Sequence, residues 1–238
     1  MTLPKKISPC PIVESLIEVR FDSELPGEAI FGIIYNEHKN DFPKLDKLPI
    51  LQIPEAIRSS DKNLIYAPHY TLRSGNYILQ IGPQVFSLAN VHEYAGWDTF
   101  YGQIKNVFKR IIDLKIITET KRLGLRYINV FPEMNIFEKS DLKVFIKEDL
   151  LVNHVNLTID LPSNEFINTL RMASDANLDA SGKILMGSVI DIDTSFSGSK
   201  PVLFPDMEEI IQNAHDKEKE LFFNLLRDDY IESLNPEY

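Results

Sequence analysis

Arg126 stands in the middle of LGLRYINVF (123–131), a stretch with enough apolar weight for a buried strand. A guanidinium there must face water or be held by a carboxylate or a bound anion. Alternation places Arg122, Gly124, Arg126, Ile128 and Val130 on one face, and Leu123, Leu125, Tyr127, Asn129 and Phe131 on the other. The same period runs through IVESLIEVRFD (12–22). Val13, Ser15, Ile17, Val19 and Phe21 share one side, while Glu14, Leu16, Glu18 and Arg20 share the other. If the two strands are neighbours, Arg126 reaches Glu14 or Glu18, and Gly124 leaves room for a long side chain. Arg126, Arg73 and Arg20 would then form an anion-recognition surface, because guanidinium grips carboxylate and phosphate through paired donors. The plainer account is a cross-strand ion pair on a half-wet face, worth ~0–1 kcal/mol.

A second constellation is acidic. Asp191 and Asp193 lie two residues apart on one strand face, and Asp160 could join them from a neighbouring strand. Such carboxylates can hold Mg²⁺ or Mn²⁺ for phosphoester hydrolysis. Alternating aspartates also mark the wet face of an ordinary antiparallel strand. A metal is therefore expected only under this alternative, and no other cofactor is indicated. The histidines at 38, 69, 92, 154 and 215 show no metal-binding spacing, and Cys10 lies alone between prolines. No nucleophile elbow, Walker loop or dinucleotide fingerprint is present, and SGSK at 197–200 reads as a plain loop. Tyr94, Trp97, Phe100 and Tyr101 could line a pocket at a helix start, or simply anchor that helix to a sheet.

The elements that must carry these residues follow from period and punctuation. After the first strand, 24–42 reads as a helix ending near Lys39, and 43–61 as a proline-punctuated connection with a short edge strand. LIYAPHYTLRS, YILQIG and VFSLANV form a meander. Residues 94–115 carry an apolar stripe at three- and four-residue steps, and 119–131 closes this half as a strand. Strands at 153–161, 165–173 and 183–196 follow, then a long helix at 205–234 whose HDKEKE stretch (215–220) reads as a solvated or partner-docking face. The expected fold is α+β, mainly antiparallel sheets with amphipathic helices packed on them. Two lobes are expected, a β-α-β-β-β-α-β lobe at 1–132 and a β-β-β-α lobe at 133–238, sharing an interface.

The 238 residues carry 25 Lys and Arg against 35 Asp and Glu, a net charge of −10. That balance argues against nucleic acid and anionic membrane as partners and suits another protein, one of basic character. A homo-oligomer stays open. The opening MTLPKKISPCPIVES lacks a signal-peptide pattern and no run suits a membrane span, so a cytoplasmic protein is expected.

PIVESLIEVRF (11–21), LQIGPQVFSL (79–88), YAGWDTF (94–100) and LGLRYINVF (123–131), with VIDIDTSF (189–196) in support, carry a family likeness. In that order they resemble a sporadically distributed, functionally uncharacterised prokaryotic family of proteins of about this length. The resemblance implies a stand-alone protein without an accepted catalytic activity, and its patchy distribution looks like cargo of mobile or defence loci. The expectation is a non-enzymatic partner-binding or small-ligand-sensing component of a bacterial accessory system, phage defence among them. The alternatives are the metal-dependent phosphoester hydrolase and an acidic, antitoxin-like neutralising partner. The residues proposed for binding are Arg20, Arg73, Arg126, Glu14, Glu18 and Trp97.

Overall fold

In the computed structural model, which describes residues 3–180, 183–196 and 206–238, the first strand is β1, Ile12–Asp22. It buries Ser15, Ile17, Val19 and Phe21, while Glu14, Leu16, Glu18 and Arg20 stay half-buried. Val13, which the alternation places on the same side, is exposed. Helix α1 (Gly27–His38) starts behind Pro26 and buries Ile30 and Ile34. The proline-rich connection holds a short edge strand β2 (Lys44–Lys47), a 3-10 turn at Pro49–Gln52 and one helical turn α2 (Glu55–Arg58).

The meander is β3 (Tyr70–Ser74), β4 (Tyr77–Gly82) and β5 (Val85–Val91). Residues 64–69, expected to begin the first of these strands, lie outside it: 64–66 turn, with Leu64 and Ile65 both bonded back to Asp61, and Pro68 lacks an N–H for a ladder. Gly75, at φ +54°, makes the β3–β4 turn. Helix α3 (Trp97–Asp113) follows Gly96 and buries Phe100, Ile104, Val107, Phe108 and Ile111. Phe108 meets Phe86 of β5 edge to face at 4.9 Å.

Strand β6 (Glu119–Pro132) buries Leu123, Leu125, Tyr127, Asn129 and Phe131, the face its sequence assigns. A small hairpin that the sequence does not announce, β7 (Val144–Ile146) and β8 (Asp149–Leu151), comes next. Then come β9 (Asn156–Ser163), β10 (Phe166–Ala180), β11 (Lys183–Phe196), α4 (Asp206–Leu225) and α5 (Asp228–Ser233). The long final helix is thus two. Its ladder stops because Leu225 C=O accepts from Asp141 N and Arg227 N donates to Lys139 C=O, so the backbone bonds sideways. The SGSK stretch at 197–200 lies outside the described residues.

The fold is α+β, and the chain forms two compact units. One comprises Glu14–Leu125 and Phe196–Gln212; its strands run β2-β3-β4-β5-β1, every pairing antiparallel. The other comprises Met1–Val13, Arg126–Ser195 and Asn213–Tyr238, with β11-β10-β9 following the latter part of β6. Its core gathers Phe131, Leu170, Met172, Ile190, Ile192 and Phe222, and the two chain termini join it: Ile7 is buried and Ser8 N donates to Leu234 C=O. Among the described residues no helix is long and apolar enough to cross a membrane.

His38 closes α1 wholly buried, with neither ring nitrogen hydrogen-bonded. Burial, then the Arg110 guanidinium, pull its pKa down to about 4, so the ring is neutral and leaves a donor and an acceptor unsatisfied. Leaving one such group buried costs ~1–3 kcal/mol. His38→Leu is therefore expected to raise stability by about 1–2 kcal/mol in urea unfolding. A loss instead would mean that the ring packing against Phe42 outweighs the orphaned nitrogens.

Candidate functional site

Three adjacent strands of the second unit, β6, β11 and β10, each turn a charged side chain away from the core. The period-2 geometry does this directly. Tyr127, Ile190 and Ile192, and Leu170 and Met172 go inward, so Arg126, Asp191 and Arg171 lie on the opposite side of their strands. Arg126 grips Asp191 through both oxygens, Nε to Oδ1 and Nη2 to Oδ2, each at 2.7 Å. Arg171 Nη1 donates to Oδ2 at 3.3 Å. The Asp191 side chain is 8% exposed, whereas those of Arg126 and Arg171 are 37% and 42% exposed. One carboxylate thus serves two guanidiniums.

The first unit repeats the arrangement. Glu18 Oε1 accepts from Arg20 Nε at 2.7 Å and from Arg122 Nη1 at 3.0 Å. Arg20 also lies over the Tyr66 ring, 5.0 Å from its centroid. Gly124 has a role here: a Cβ at that position would collide with the Arg122 guanidinium, so the glycine keeps that space open. From Glu18 a polar row runs across the sheet in register through Ser87, Gln80, Thr71 and Asp46. Ser87 Oγ donates to Gln80 Oε1 at 3.0 Å, and the buried Thr71 hydroxyl has no partner.

The remaining sequence candidates disperse. Arg73 pairs with Asp46 at 3.2 Å on the exposed edge. It lies three strand steps from Arg20, about 14 Å at ~4.8 Å per step, too far for both to grip one small anion. Glu14 lies opposite Val91, four residues and so about 13 Å from Glu18 at ~3.3 Å per residue along β1. Trp97 donates Nε1–H to Gln212 at 3.1 Å and stacks on Tyr101 at 5.2 Å, so it ties α3 to a neighbouring segment of its own unit. Asp160 accepts from Thr169 Oγ1 at 2.7 Å, and Asp191 is engaged by two arginines. Asp193 sits half-buried on β11. Among the described residues no three His, Cys, Asp or Glu side chains gather as metal ligands. Cys10 is exposed, and partial desolvation raises its thiol pKa.

Sequence reasoning missed two things. Arg171 is one, for nothing in EFINTLRMA marks it as the second clamp on Asp191. The other is Glu218 on the inward face of α4, a face whose apolar stripe of Met207, Ile211, Ala214, Phe222 and Leu225, with His215 beside it, the sequence does give. There Tyr127 Oη and His215 Nδ1 share a hydrogen bond at 3.2 Å, and Glu218 is buried with 5% exposure. Burial lowers the His215 pKa to about 3 and raises that of Glu218 to about 8, with Lys219 opposing the latter shift. The signal was the spacing: Met207, Ile211, Ala214, Glu218, Phe222 and Leu225 are the buried stripe, and 218 falls on it despite its charged neighbours.

Comparison with protein-family models finds no match, and comparison with curated proteins finds none either.

Proposed function

We propose that the protein is a non-enzymatic binding protein that recognises anionic groups, carboxylate or phosphate, on a partner or small ligand through Arg126 and Arg171. The observation that supports this reading is the shared Asp191. A nearly buried carboxylate is satisfied by one bidentate guanidinium, so the second, Arg171, which shares one of its oxygens, is more than that carboxylate needs. Arg171 commits only Nη1 to Asp191, and its side chain stays well exposed. The carboxylate fixes both arginines in place beforehand, which lowers the ordering cost of binding. As part of the same proposal the protein serves a bacterial accessory system, phage defence among them, a setting carried only by the motif resemblance.

Titration calorimetry at low salt with citrate and with pyrophosphate separates carboxylate from phosphate preference. Arg171→Gln is expected to weaken the preferred probe about tenfold or more, since hydrogen bonds to charged groups contribute ~1.5–3 kcal/mol. Its melting temperature is expected to change little, as for other half-exposed pairs. Absence of binding by either probe, or equal binding by the variant, would overturn the proposal.

A further inference from the structure

A cavity of about 260 Å³ opens in the first unit, between the start of α1, the α2 turn, the 64–70 segment and the β4–β5 turn. Its lining mixes charges of both signs with apolar side chains. Arg58 is anchored by Nε to the Ile53 carbonyl at 2.9 Å, and its Nη1 lies 3.0 and 3.1 Å from the two ring nitrogens of His69. Glu28, at the first turn of α1, and Arg58 both act electrostatically on that ring, so opposite charges flank it. Burial and Arg58 lower the His69 pKa, which keeps the ring neutral at pH 7. Leu51, Leu64 and Ile65 supply the apolar part of the wall.

Charge and size narrow the ligand. A simple anion would meet Glu28 and Glu55, and a simple cation would meet Arg58. The volume falls below the ~300–1,000 Å³ typical of pockets for drug-sized molecules. A molecule that carries both charges close together on a short apolar body satisfies every wall. We propose that this cavity binds a free amino acid with an aliphatic side chain, its carboxylate on Arg58, its ammonium on Glu28 and its side chain against Leu51, Leu64 and Ile65. The site is separate from the Arg126–Asp191–Arg171 cluster and does not depend on that cluster's role.

The test uses the full chain and calorimetric titration with leucine, isoleucine and methionine. Isoamylamine, which is leucine without its carboxylate, and isocaproate, which lacks the amino group, serve as controls. Leucine or one of its analogues is expected to bind saturably, and both controls at least tenfold more weakly. Arg58→Gln should weaken binding by a similar factor. Glu28→Gln, at an exposed position, should do the same and keeps the test open should the arginine variant fail to fold. Leu25→Trp, at a cavity-lining residue that is already half in solvent, should fill the space and abolish binding. The proposal is overturned if no amino acid binds at about 10 mM, enough to saturate a site of ~1 mM affinity. Controls that bind as well as leucine, or a Leu25→Trp variant that binds unchanged, overturn it equally.

Discussion

Glu218→Gln is expected to stabilise the protein at pH 8 while changing little at pH 5. Glu218 lies on the inward stripe of α4, and burial raises its pKa to about 8 from the ordinary value near 4.5. Between those two pH values the folded chain keeps a proton that the unfolded chain has released. The stability that this proton contributes is complete below about pH 4.5 and is lost as pH rises through about 8. The slope in the window is about −1.4 kcal/mol per pH unit for one proton. Glutamine is neutral at every pH and nearly the same shape, so the variant should outlast the parent at pH 8 by several kcal/mol.

The histidines oppose this on the acid side. His215 and His38, with folded pKa values of about 3 and about 4, stay neutral where the unfolded chain is protonated. Their effect is a stability that rises with pH up to about 6.5, the ordinary histidine value. Together the three groups give the parent its greatest stability near pH 6.5, with a decline on each side. In Glu218→Gln the alkaline decline should vanish and the acid one remain. Urea unfolding at pH 5, 6.5 and 8 reads this directly. Parallel curves for parent and variant would show that Glu218 ionises inside the folded protein as readily as in water.

That glutamate also shows where sequence reading succeeds and where it stops. The faces of β1 and β6 are legible because a period of two is local, and one misplaced residue would expose a whole apolar face. The stripe of α3 is legible for the same reason at its own period. In α4 the spacing of Ala214 and Phe222 pointed at position 218, but five charged or polar neighbours in HDKEKE suggested water. Spacing was the better guide, since an acid that keeps its proton can be buried, at a cost that grows only as pH rises above about 4.5. The break between α4 and α5 carries no proline or glycine to announce it. Its cause is a set of backbone bonds to residues 139 and 141, nearly ninety positions away in sequence. The recognition cluster divides similarly. That Arg126 needs a partner follows from its strand; that the partner is Asp191, 65 residues on, depends on strand order, which no local pattern specifies.

Removing Asp191 tests what the cluster is for. Asp191→Ala leaves two guanidiniums facing each other without their shared carboxylate, and breaking a buried pair costs ~3–5 kcal/mol. Because Arg126 and Arg171 are more than a third exposed, water recovers part of that, and a loss of about 2–3 kcal/mol is expected. Replacing all three residues with β-branched apolar ones, as Arg126→Val, Arg171→Val and Asp191→Val together, should restore most of the lost stability. Neither desolvation nor repulsion then remains, and adjacent strands favour such side chains. The triple variant should at the same time bind neither citrate nor pyrophosphate. Stability recovered with binding absent would show that the charges are retained for recognition rather than for the fold. A triple variant as unstable as Asp191→Ala would mean the opposite, that the two arginines and their aspartate hold β6, β10 and β11 in register, and the binding proposal would lose its main support.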